Sequence, residues 1–97
     1  MFILFIGALS CTDNERQKQE MYYYYMQYAR NYEVAAVDED VKADYYARLA
    51  EGFKGSSANL TGEQYEKFII LAESHEENAA KFREAAQQYR DLAESYQ

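Results

Sequence analysis

The sequence predicts an all-α protein, an antiparallel two-helix hairpin with a seam of alanine against aromatic rings. Three observations predict it. The first is a ladder through Tyr22, Tyr25, Ala29, Tyr32, Ala36, Glu39, Ala43, Tyr46, Ala50 and Phe53, spaced alternately by three and four residues. The second is a matching ladder through Tyr65, Phe68, Ala72, His75, Ala79, Phe82, Ala86, Tyr89, Ala93 and Tyr96. In heptad terms, alanine holds four of the five a positions in each ladder, and an aromatic holds nearly every d position. Such a 3-4 spacing puts all these residues on one stripe of a helix and marks a coiled-coil seam. The third is the absence of proline from a chain of 97 residues, so little breaks a long helix.

The elements follow in chain order. Residues 1–11 are an apolar leader, Met1 to Leu9 reading MFILFIGAL before Ser10 and Cys11. Residues 12–20 are strongly polar, a linker or the first helical turns. Residues 21–97 carry the hairpin. The first helix is expected over about 17–54, with Gly55 as its left-handed terminator. Gly55 to Leu60 has turn composition. The second helix is expected over about 61–96, with Thr61 as N-cap, Gln64 as capping-box partner and Leu60 with Tyr65 as a hydrophobic staple. Asp38, Glu39 and Asp40 resemble the acidic first turn of a new helix, but the ladder keeps phase across them, so one continuous helix is favoured over two.

A short loop makes the two helices antiparallel neighbours. Pairing residues whose numbers sum to 118 sets Ala50 opposite Phe68, Tyr46 opposite Ala72, Tyr32 opposite Ala86 and Tyr25 opposite Ala93. Large then faces small in almost every layer. A parallel pairing would set alanine on alanine and ring on ring, which packs worse. The two ladders also match at an offset of 43 residues, as a shared heptad constraint alone requires.

Composition excludes several function classes. The net charge is −7, with nine acids against six bases in residues 1–54 and eight against four in 55–97. An acidic surface on both halves repels a phosphate backbone, so no nucleic-acid partner is expected. The single histidine rules out the paired Glu-x-x-His motifs of a di-iron bundle. Asp38-Glu39-Asp40 lacks the glycine and closing glutamate of a calcium loop, and there is no glycine-rich phosphate loop. No catalytic residue, metal or cofactor is expected, and the chain is read as a non-enzyme.

Gly7-Ala8-Leu9-Ser10-Cys11 resembles the lipobox of small bacterial membrane lipoproteins, where a small residue precedes a lipidated cysteine that becomes the mature N-terminus. Leu9 stands where a small residue is usual and Ala8 where leucine is usual. The resemblance covers the leader alone. It implies lipidation at Cys11, a cleaved signal peptide, and a location in the bacterial cell envelope, membrane-anchored and facing periplasm or exterior.

Two clusters are the candidate sites. Tyr22, Tyr23, Tyr24, Tyr25 and Tyr28 exceed what one seam can bury, and tyrosine is enriched at interfaces, so a protein partner or self-association is expected there. Val34, Val37 and Val41 with Tyr45 form a second apolar set on the back of the first helix. Glu39 and His75 are the strongly polar seam positions and lie in adjacent layers of the 118 register. They are read as a register-fixing pair before a pH-sensitive latch or half of a metal site. Three functional readings follow. The first is an envelope-anchored structural or protein-interaction module. The second is an accessory subunit of a filament or membrane complex that keeps its N-terminus. The third is a metal- or ligand-binding helical bundle.

Overall fold

A computed structural model describes residues 2–55 and 62–97, and for 2–12 the backbone alone. It is the expected all-α hairpin, with extensive contact between two helices, α1 (Phe2–Phe53) and α2 (Glu63–Glu94). The pair is one layer deep, 13 by 11 Å across its narrow directions.

Residues 12–20, expected as a linker or first turns, continue α1 without a break. Their Glu, Arg, Gln and Lys are good helix formers, so nothing in that stretch opposes propagation from the ladder behind it. The helix also passes through Asp38 to Asp40 uninterrupted. At its end, the amide of Lys54 donates to the Ala50 carbonyl at 3.1 Å, and Gly55 turns out of the helix at φ 76°. That φ strains any residue with a Cβ, so glycine is required there. At the start of α2 the cap position is Gly62, at φ 78°. Thr61, expected as N-cap, lies outside the described residues. Glu63 and Glu66 fill the first turn of α2, where negative charge meets the positive end of the helix dipole.

The core consists of alanines. Ala29, Ala36, Ala43 and Ala50 of α1 and Ala72, Ala79, Ala86 and Ala93 of α2 are 0 to 4 % exposed. No large side chain among the described residues is fully buried. The a-position methyl groups let the two backbones come close, and the d-position rings then lie across the partner's alanines.

Those rings interleave, one helix and then the other, along the seam. Tyr25 stacks between Tyr96 at 5.8 Å and Tyr89 at 6.1 Å. Tyr32 lies between Tyr89 at 5.6 Å and Phe82 at 6.0 Å. Tyr46 lies between His75 at 5.4 Å and Phe68 at 6.1 Å, and Phe53 closes the ladder on Phe68 at 5.4 Å. These neighbours sum to 114 or 121, on either side of 118. Tyr25, Tyr32 and Tyr46 therefore each lie opposite an alanine and between two partner rings.

Candidate functional site

Glu39 occupies the one d position of the Tyr22–Phe53 ladder that lacks a ring. The ladder places its carboxylate where a ring would otherwise meet His75, and His75 Nδ1 hydrogen-bonds Glu39 Oε2. Tyr46 lies almost parallel to the imidazole, with 4° between the ring planes, and fixes its orientation. The two side chains are 14 % and 21 % exposed for Glu39 and His75. Lys42 Nζ approaches Glu39 at 3.9 Å from one turn along α1. The hydrogen bond from His75 holds the Glu39 carboxyl below the usual carboxylate range. The charges of His75 and Lys42 and a hydrogen bond from Asn78 act the same way, against partial burial. The pair can hold register and respond to acid. Among the described residues, no three His, Cys, Asp or Glu side chains are grouped to hold a metal ion.

The tyrosine cluster divides by helical position. Tyr25 is a seam residue. Tyr22 is half-buried and meets Tyr23 edge-on at 5.5 Å. Tyr23 and Tyr24 point outward, 62 % and 51 % exposed. Tyr28 is partly both: its ring stacks on Tyr89 at 5.3 Å, yet its hydroxyl lies 3.2 Å from that of Tyr24 on the surface. That hydroxyl pair raises the Tyr24 pKa above the usual phenol value. Tyr22, Tyr23 and Tyr96 also line an open groove with Lys18 and Glu15. The lipidation candidate, Cys11, lies outside the residues whose side chains are described. Among the described residues, no helix is long and apolar enough to cross a membrane.

Sequence reasoning missed two cross-helix ion pairs, Glu33 with Arg90 and Asp40 with Arg83. Asp40 raises the Arg83 pKa, chiefly through their hydrogen bond. Each pair joins equivalent e positions of the two ladders, with residue numbers that sum to 123. An antiparallel seam brings e opposite e along one edge, so opposite charges at those positions were the available signal. No family model, curated protein or solved structure matches this chain.

Proposed function

We propose that the chain is a non-enzymatic, envelope-anchored helical hairpin that acts as a structural or protein-interaction module. The observation that carries the interaction reading is an inversion of the usual burial pattern. Alanines fill the interior, while Tyr23, Tyr24, Val34, Val37, Val41, Tyr45 and Ile70 are more than half exposed. A two-helix hairpin has too little interior to bury these groups, and so much outward apolar surface belongs against another macromolecule. The anchoring half rests on the lipobox resemblance at Cys11.

Photo-crosslinking from positions 23, 24 and 28 in living cells tests the interaction half. The reading expects discrete crosslinked species from these positions and none from the charged outer position Glu84. Monomer alone at every position would overturn it. Mass spectrometry tests the anchor. An acylated Cys11 at the mature N-terminus supports it, and a retained Met1 overturns it in favour of an accessory subunit with an intact leader.

A further inference from the structure

The outer face of α1 carries a pattern that specifies its own mate. Val34, Val37 and Val41 are 65, 58 and 62 % exposed, on the side of α1 turned away from the seam. Exposed valine is a poor choice for a helix, because its branched side chain loses rotamer freedom there. Three in two turns point to a surface that is covered. Seven residues before Val37 stands Arg30, and seven after it stands Asp44, in the same heptad row. Arg30 has no ion-pair partner among the described residues, and Asp44 is held by Arg48 at 2.8 Å on the exposed surface.

From this arrangement we infer that α1 binds a second copy of this chain, antiparallel, about a two-fold axis beside Val37. Such an axis sets Val37 on its own mate, Val34 beside the mate's Val41, and Arg30 beside the mate's Asp44. The stretch from Arg30 to Asp44 is about 21 Å long at the helical rise. A parallel arrangement would put Arg30 on Arg30 and Asp44 on Asp44, and is disfavoured by like charge. Self-pairing of a chain with net charge −7 needs a facing surface that does not repel. Here the row balances one cation against one anion. The nearby acids Glu33 and Asp40 are already neutralised by Arg90 and Arg83 of the same hairpin. Two hairpins joined this way form a four-helix assembly in which Tyr24 and Tyr28 lie off the paired row, while Tyr23 lies on it, one heptad before Arg30. The inference rests on the interaction-module reading and assigns one of its surfaces.

Sedimentation equilibrium and thiol crosslinking of the full chain test it, with helicity checked by circular dichroism. In a Cys11→Ser background, Val37→Cys should form a disulfide-linked dimer readily, and Ile70→Cys on the outer face of α2 should not. Arg30→Glu should weaken association at least tenfold, and Arg30→Glu with Asp44→Arg should restore it. All these positions are on the surface, so the hairpin itself stays folded. Monomer at all concentrations, equal crosslinking at Val37 and Ile70, or failure of the charge swap to restore pairing would each overturn the dimer. If the tyrosine positions still capture a partner in that event, the module reading survives the loss of this interface. If they capture none, both fall.

Discussion

The seam and the outer face of α1 lie on opposite sides of the same helix and use apolar residues in opposite ways. On the seam, the fully buried groups are single methyls, and the rings are half-buried along the flanks. On the outer face, valines stand in the open at Val34, Val37 and Val41. The seam shows that close approach of two backbones, rather than bulk, can be what a core is built for. The outer face shows the consequence: once the interior takes only alanine, larger apolar groups have nowhere inside the hairpin to go.

The comparison can be broken most forcefully from the seam. Ala79→Leu inserts three carbons where the backbones are closest, and should cost about 3 kcal/mol, read as a lowered midpoint in urea. The same leucine at Val37 should leave the stability of the isolated hairpin almost unchanged. Tyr89→Ala removes the ring that touches Tyr25, Tyr28 and Tyr32, and should cost about 2 kcal/mol by the same measurement. Gly55→Ala forces a Cβ into a left-handed conformation and should cost about 1 kcal/mol.

The Glu39–His75 rung adds a pH dependence to the seam. The folded Glu39 pKa lies below its unfolded value of about 4.3. Between the two values the unfolded chain binds more protons, so stability rises with pH there. The contribution is complete above the unfolded value and is lost as pH falls through the folded one. Glu39→Gln should flatten the stability profile in that acid window. An unchanged slope in urea titrations from pH 5 to pH 3 would remove Glu39 from the account. The smallest effect belongs to the outer face itself. Val37→Ala should stabilise a monomeric hairpin by about 0.5 kcal/mol through helix propensity. A loss instead would mean that Val37 is covered even in the monomer.

Much of this was legible in the sequence, because a heptad constraint is written in spacing. Ala29 to Ala50 and Ala72 to Ala93 gave the stripe, and the alternation of size gave direction and register. Glu39 and His75 were legible as a pair because each interrupts the seam pattern. The edge pairs Glu33–Arg90 and Asp40–Arg83 were not, since charged residues are common on helices and acquire meaning only once register is fixed. The extent of α1 was underestimated at its start, because polar residues 12–20 carry no seam signal and still propagate a helix. Tyr28 lies off the ladder and carries no seam signal, yet its ring is long enough to reach Tyr89 from the flank.

The claim beneath all of this is that α1 and α2 run antiparallel in the 118 register. Paired cysteines in a Cys11→Ser background test it directly. Glu33→Cys with Arg90→Cys should be joined within one chain by a short bis-maleimide crosslinker, because those positions face each other across the edge. Glu33→Cys with Leu71→Cys, the e and g positions that a parallel alignment of the two ladders would set side by side, should not be joined. Joining of the second pair and not the first would contradict the account.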